Sequence, residues 1–436
     1  MTKTVYVTVN GPGEISGLLV PVAAALHQRM EDVRVVVILL PCTFASGREG
    51  AVAAAVPGVS EVVPVRRLWS LLFFGLPYPG VALIHLGGDL MYAALLAWRG
   101  RLPAWAWQWA NRTWDRFMRG YFVKTAADAV RMRRQGISDG RVTVVGDLLV
   151  DAVHATAVPR SFQEAPQAPY LAFLPGSRRV EVVGLAPFFL EVAERVREVM
   201  PDSRFALLLS PYVDFDTVRG DLGEPDPAIG GRSGTLSRTD EGWDLVSARG
   251  TRLGLVSTGS TREVAEADFV VSIPGTKTGE AGALARPLLV VTPYNKMEEI
   301  PWYGLLGLLD WVPRVGRALK RLIMRTMVGR YRGRFYSQPN ILASRPVVPE
   351  IAGFLWPQLI SEKILEVFNR PRQGEVSLRG VVHGPRGEYQ CYGATDSDRR
   401  RIHEDLAALY APHAGAADRL VERVAGCLYA TVATPR

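Results

Sequence analysis

The chain has 436 residues, long enough for two cores, and its 48% hydrophobic and 22% charged residues are an ordinary soluble composition. Its 51 Lys and Arg against 43 Asp and Glu leave a formal charge of +8, favouring anionic partners. Three spaced cysteines (Cys42, Cys391, Cys427) and six scattered histidines offer neither a disulfide framework nor a metal ligand set. No metal and no cofactor is therefore expected, and the setting is a reducing cytoplasm. The opening MTKTVYVTV runs straight into a strand pattern, so no signal peptide is expected. The longest apolar stretch, residues 81–98, contains His85, Gly87, Gly88 and Asp89, which argues against a membrane helix there.

A strand pattern covers residues 4–10. The run Gly11-Pro12-Gly13-Glu14-Ile15-Ser16-Gly17 reads as a glycine-rich turn, with a helix over 18–30. This begins a doubly wound domain. Its GxGxxxG spacing is one residue longer than the dinucleotide fingerprint, and no acid closes the second strand, so a nicotinamide cofactor is disfavoured. Strands follow over 33–40 and 61–65. Residues 66–80, RRLWSLLFFGLPYPG, are unusually apolar for a connection and read either as core or as a surface touching lipid. A strand over 81–86 then ends in Gly87-Gly88-Asp89, ahead of a helix over 90–98. Open α/β sheets place their ligand crevice at such strand ends, so Asp89 is either a ligand-facing acid or the N-cap of that helix.

Residues 99–134 interleave Trp105, Trp107, Trp109 and Trp114 with Arg101, Arg112, Arg116 and Arg119. Aromatics among arginines can stack bases, yet no nucleic-acid module accompanies them and no nucleic-acid partner is expected. Amphipathic tryptophans equally suit a membrane interface. A strand over 142–145 and a helix over 146–153 complete an N-terminal domain ending at residue 154. The Pro-, Ala- and Gln-rich segment 155–169 reads as a linker.

The second domain, residues 170–368, opens on LAFLPGSRRVEVVG: an apolar strand, a Pro175-Gly176 break, Ser177, Arg178 and Arg179, then a helix to about residue 200. Strand, tight turn and helix point free N–H groups and a helix dipole at an anion, and an arginine fork adds a fixed cation. A strand over 204–210 precedes residues 214–251, rich in Gly, Asp and Arg, which read as a long loop or an insertion. After a short helix over 258–264, a strand over 267–273 leads into Pro274-Gly275-Thr276-Lys277-Thr278-Gly279-Glu280, a helix to 285 and a strand over 288–292. Two such strand–loop–helix units would form a diphosphate cradle, with Glu280 placed to accept sugar hydroxyls. The plainer alternative is local capping by Thr276 or Thr278 with Glu280. The spacing is not that of a P-loop. Residues 301–335 are strongly basic with helical apolar phase, the pattern either of an interfacial helix on anionic lipid or of solvated charges beside a core stripe. Beyond residue 369 the chain is weakly patterned and closes with helices over 399–410 and 416–429, an extension that could pack back on the first domain.

Several of these runs, in this order and spacing, resemble one family. Gly13-Glu14-Ile15-Ser16-Gly17, Leu174-Pro175-Gly176-Ser177-Arg178 with Glu181, Gly275-Thr276-Lys277-Thr278-Gly279-Glu280, and Pro339-Asn340 with Arg345 and Pro349-Glu350 are similar to those of lipid-A-disaccharide synthases. The resemblance implies an α/β protein of GT-B fold, with two facing Rossmann-like, doubly wound domains and a cleft between their parallel sheets. It implies an inverting glycosyltransferase that moves a glucosamine-type sugar from a UDP-sugar donor to a lipid-linked or glycolipid acceptor. Such an enzyme would work in the cytoplasm, peripherally, against an anionic membrane surface.

Carried over residue by residue, Gly176, Ser177, Arg178, Gly275, Thr276, Lys277, Thr278, Glu280 and Asn340 would bind the donor. Gly13, Glu14, Ser16 and Gly17 would bind the acceptor. Asp89, with His85 second, would take the acceptor proton, while helix N-termini, Arg178 and Lys277 would stabilise the leaving diphosphate. The chain departs from the family pattern at Leu18, at Gly146-Asp147-Leu148 and at Pro274–Lys277, departures that bear on the acceptor more than on the donor. The alternatives are a UDP-N-acetylglucosamine 2-epimerase of similar architecture, a non-catalytic UDP-sugar-binding relative and, more distantly, an oxidoreductase.

Overall fold

The computed structural model describes residues 2–42, 45, 47–108, 113–240, 242–293, 335–368, 380–384, 387–392 and 398–432. The chain forms two compact units, Met1–Thr156 with Tyr410–Arg436, and Ala157–Leu409.

The first unit carries strands β1 (Lys3–Val9), β2 (Val33–Leu39), β3 (Val59–Val63), β4 (Gly80–His85), β5 (Ala104–Trp107), β6 (Gly120–Val123) and β7 (Val142–Val144). They form one sheet in the order β3-β2-β1-β4-β5-β6-β7, every pair parallel. The order reverses between β1 and β4, the switch point at which such sheets open a crevice. Val5, Val7 and Val9 bury on one face and Tyr6 on the other, which is why β1 reads as an unbroken apolar run.

The glycine-rich run is not a turn. The helix starts at Pro12–Glu14, widens into a π-turn over Ile15–Leu19, and continues as Val20–Arg29. Pro12 presets the backbone angle of a first helical residue. Pro21 has no N–H for the carbonyl four residues back, at Gly17, and its ring needs room there, so the preceding turn loosens.

The tryptophan-rich stretch holds two strands of the sheet that the alternating pattern concealed. Trp105 and Trp107 lie in β5 and are buried, which removes them from any stacking surface. Trp109 and Arg112 lie outside the described residues, as does the basic stretch up to residue 334. Over 66–80 the reading as core holds for only part of the segment. The helix Leu68–Phe74 buries Leu68 and Leu71, while Trp69, Phe73 and Phe74 are 59%, 73% and 87% exposed. The helix Ala416–Val432 belongs to this unit and buries Leu420, Val421 and Val424 in its core. Its start is fixed by Asp151, whose carboxylate accepts from the N–H groups of Gly415 (2.6 Å) and Ala417 (2.7 Å).

The second unit repeats the plan with β8 (Tyr170–Leu174), β9 (Arg204–Leu208), β10 (Gly234–Thr239), β11 (Gly242–Ser247), β12 (Arg252–Val256), β13 (Phe269–Ser272), β14 (Leu288–Pro293), β15 (Glu350–Gly353), β16 (Gly380–Gly384) and β17 (Gly387–Tyr392). The order is β10-β11-β12-β9-β8-β13-β14-β15-β17-β16. The six strands from β12 to β15 are parallel and reverse between β8 and β13, and antiparallel hairpins extend both edges. Residues 214–251 are thus not loop throughout, since β10 and β11 lie there. Their one-sided burial and polar outward residues hid them from an apolar-run search. Much of the proline-rich segment after residue 156 is tied to this unit and does not hang free. Arg160 pairs with Asp268 at 2.5 Å, and Arg399 donates to the carbonyls of Gln163 and Glu164.

Candidate functional site

At the switch point of the second unit, β8 ends in Leu174 and the chain turns through Gly176 at φ +112° before the helix Arg179–Arg197. A Cβ at Gly176 would collide with the Glu181 carboxylate and lie 2.6 Å from Ile273 Cδ1 in the other glycine loop, so glycine lets the two loops meet. Glu181 turns back over the helix start. Its carboxylate accepts from the N–H groups of Ser177 (3.0 Å) and Arg178 (3.1 Å) and from the Arg178 guanidinium (3.1 Å). This is a capping box, with a carboxylate where an anion would sit. Burial raises the Glu181 pKa, against the opposing pull of Arg178 and the two amides.

The second loop follows β13 and opens the helix Thr276–Ala283. Lys277 does not stand free: its ammonium bonds Glu280 at 2.7 Å and donates to Ser260 Oγ at 3.2 Å. Glu280 is only 4% exposed and also accepts from Thr261 Oγ1 at 3.2 Å. One Glu280 carboxylate oxygen is thus already engaged by the protein's own donors. Thr278 is fully buried, giving its hydroxyl hydrogen to the Gly275 carbonyl (2.8 Å) and accepting from the Gln338 N–H (3.1 Å). Gly176, Ser177, Gly275, Thr276 and Lys277 keep exposed or half-exposed surface around the two loops.

Asn340 is engaged by its own chain. It is fully buried, and its amide accepts from the N–H groups of Val347 (2.6 Å) and Val348 (2.9 Å) while donating to the Val348 carbonyl (2.9 Å) and to Glu350 (2.7 Å). Glu350, also fully buried, further accepts from the N–H groups of Tyr336 and Ser337, both at 2.9 Å. Sequence reasoning noted Pro349-Glu350 only as a matching run. The pair Asn340 and Glu350 is the knot that returns the chain to β15.

In the first unit, Asp89 is exposed and caps the helix Leu90–Gly100, one carboxylate oxygen accepting from the Met91 N–H at 2.9 Å. Its other oxygen makes no hydrogen bond among the described residues. His85 is fully buried, its Nδ1 paired with Thr8 Oγ1 at 2.8 Å. Burial lowers its pKa to about 4, outweighing the nearby Gly88 backbone and Asp89. The ring is thus sealed and weakly basic, whereas Asp89 is exposed.

Glu14 is brought against the loop after β4, since a Cβ at Gly87 would lie 2.5 Å from Glu14 Cγ. Gly17 is buried in the π-turn, Ser16 donates to the Pro12 carbonyl at 2.9 Å, and Gly13 is half-buried beside Glu14. Asp147 pairs with Lys124 at 2.8 Å and caps the helix Leu148–His154. Among the described residues no group of three or more His, Cys, Asp or Glu is arranged to hold a metal.

Two doubly wound α/β units, each with a glycine loop opening a helix at its switch point, define a Rossmann-like protein. No family model matches the chain. It is 27% identical over 216 residues to a lipid-A-disaccharide synthase of Idiomarina loihiensis, covering 48% of this chain and 44% of that protein. It is 27% identical over 284 residues to the enzyme of that name from Myxococcus xanthus (64% and 61%), and 30% identical over 185 residues to that of Pseudomonas entomophila (42% and 36%). The chain spans about half the length of the curated relatives it matches. Its similarity to these lipid-A-disaccharide synthases is that of a divergent sequence, 27–30% identical over part of each chain. Among solved structures it is similar to MurG of Acinetobacter baumannii (TM-score 0.48, 10% identity, 97% of this chain and 99% of that one). It is also similar to the UDP-GlcNAc 2-epimerase of Neisseria meningitidis (TM-score 0.46, 14% identity, 66% and 82%). Likeness at that level says nothing about activity.

Proposed function

We propose that the protein is an inverting glycosyltransferase that moves a glucosamine-type sugar from a UDP-sugar to a lipid-linked or glycolipid acceptor. The observation that carries this is the meeting of the two glycine loops at the β8–β13 switch point, Gly176 against Ile273, in a chain similar to lipid-A-disaccharide synthases. The donor diphosphate takes the N–H groups around Gly176, Ser177, Gly275 and Thr276, with Arg178 and Lys277 supplying charge; Arg178 gives up part of its pairing to Glu181 as the anion arrives. In the transfer, the acceptor oxygen attacks the anomeric carbon from the face opposite the leaving group. The bond from that carbon to UDP breaks and the electron pair leaves with UDP. Asp89 takes the acceptor proton on its unbonded oxygen.

A lipid acceptor is supported by the first unit's surface. Trp69, Phe73, Phe74 and Trp98 (64% exposed) stand out beside the exposed Arg66, Arg67, Arg99 and Arg101, and the Arg99 guanidinium lies about the Phe73–Gly75 turn. Aromatics ringed by arginines suit the headgroup level of an anionic membrane, here the cytoplasmic face. No helix among the described residues is long and apolar enough to cross a membrane. Calorimetric titration with UDP, UDP-N-acetylglucosamine and NAD in parallel tests the reading. Tightening by the UDP compounds alone is expected, and no response to UDP would refute it.

A further inference from the structure

The second unit carries a cavity of about 310 Å³ beside the helix Arg179–Arg197. Its walls are Glu191 and Arg195 of that helix, the Gly230-Gly231 turn, and Trp356, Pro357 and Gln358 at the start of the helix Pro357–Val367. Glu191 and Arg195 lie 12 and 16 residues after Arg179, which puts them about 18 and 24 Å along the helix from the Ser177–Arg178 turn at about 1.5 Å per residue. The cavity is therefore separate from the two glycine loops. Glycine also builds its second wall. Gly231 holds φ +128°, and a Cβ there would lie 2.5 Å from the Pro187 carbonyl carbon, so glycine lets this turn press on the helix. The Arg232 N–H then fastens the turn to the Pro187 carbonyl at 2.9 Å. Gln358 is exposed, and Glu191, Arg195 and Trp356 are half-buried, so a small molecule can enter from solvent. The volume is at the lower end of that of small-molecule sites.

Charge and shape narrow the occupant. One Glu191 oxygen accepts from both Arg195 Nε (3.0 Å) and Arg195 Nη2 (2.8 Å), so the two charges offset each other. A phosphate would face Glu191 and an ammonium would face Arg195, each partly desolvated with no counterion of its own. An uncharged ligand meets neither cost. The other Glu191 oxygen makes no hydrogen bond among the described residues and is left to accept from a hydroxyl. Trp356 starts the helix Pro357–Val367 without capping it, so first-turn N–H groups beside the cavity can donate to an oxygen. Trp356 and Pro357 supply an apolar wall, and Gln358 forms the rim with its amide donating to Glu362 at 2.6 Å. Hydroxyls on the edge and C–H groups on the face are the make-up of a sugar ring. We propose that this cavity binds one uncharged pyranose unit, its ring against Trp356 and its hydroxyls shared between Glu191 and the start of the helix Pro357–Val367. The site is additional to the donor and acceptor positions and does not rest on the glycosyltransferase reading.

The test is titration of the full chain with N-acetylglucosamine, glucose and adenosine, followed through the tryptophan indole N–H resonances of 15N-labelled protein. The Trp356 resonance is identified by its loss in Trp356→Phe. It is expected to shift with at least one of the two sugars. Glu191→Ala should weaken sugar binding about tenfold or more, the loss of a hydrogen bond to a charged group, with UDP affinity by calorimetry unchanged. Thermal melting checks that this variant folds; should it melt early, the wild-type Trp356 shift decides. A Trp356 resonance that stays still up to the solubility limit of both sugars, or one that adenosine alone moves, would overturn the proposal. So would a folded Glu191→Ala protein that binds sugar as wild type does. A folded variant that loses UDP along with sugar would place Glu191 in the donor site and overturn the separation of the two.

Discussion

Asn340→Ala separates a structural asparagine from a donor ligand. The side chain makes four internal hydrogen bonds, to the N–H groups of Val347 and Val348, the Val348 carbonyl and Glu350. Val347 and Val348 are 1% and 0% exposed, so alanine strands two backbone donors and a carbonyl away from water and takes one of the donors that hold the Glu350 carboxylate. An unsatisfied buried group costs about 1–3 kcal/mol. A water entering the space left by the amide repays part of that. The expected loss is roughly 4 kcal/mol, carried by the second unit. Urea unfolding followed by tryptophan fluorescence measures it, and hydrogen exchange over residues 345–352 localises it. A stability change below about 1 kcal/mol combined with weakened UDP binding would show that Asn340 faces the nucleotide and would refute the argument.

Four further outcomes are expected. Gly176→Ala should cost on the order of 2 kcal/mol locally, because φ is +112° and the new methyl meets Glu181 and Ile273; UDP affinity and exchange at the Ser177 and Arg178 amides should both change, and wild-type values in each would clear the loop of any role. Asp89→Asn keeps a good N-cap, so helix stability and UDP affinity should hold while turnover falls about 10²–10⁴-fold; undiminished turnover would leave Asp89 a cap and nothing more.

The His85 pKa sits near 4 in the folded chain against an ordinary value of 6.5, so the folded state prefers the neutral ring. Its stabilisation is complete above pH 6.5 and drains away as pH falls toward 4, by up to about 3 kcal/mol. His413, also lowered by burial, adds a slope of the same sign, so the comparison is between wild type and His85→Gln at each pH, and identical slopes would refute the assignment. Finally, Phe73→Ser with Phe74→Ser should weaken cosedimentation with phosphatidylglycerol vesicles at least about tenfold, given about 1.5–3 kcal/mol for burying each ring. Unchanged binding would take the patch off the membrane.

The doubly wound character of both units was legible from residues alone. Parallel strands buried on both faces appear as short apolar runs, as in YLAFL and VRVVVIL, and glycine loops punctuate them before helices. Asp89 was likewise placed correctly at a strand end, with capping already one of its two readings. Three things were not legible. The AWAW strand was masked by arginines nearby in sequence but not in the core, and the hairpin β10–β11 by its polar face. The π-turn depends on a proline four residues beyond the glycine whose carbonyl it frustrates.

The donor-loop residues show the deeper limit. Glu280, Thr278 and Asn340 carry side chains equally able to bind a sugar nucleotide or their own chain. What decides is the arrival of distant groups: Thr261 on Glu280, the Gln338 N–H on Thr278, the Val347 and Val348 backbone on Asn340. The amino-acid sequence determined which elements form and where the glycine loops fall, because periodicity and glycine act locally. Only the tertiary structure decided which polar side chains were already satisfied, because hydrogen-bond satisfaction belongs to contacts between segments far apart in the chain.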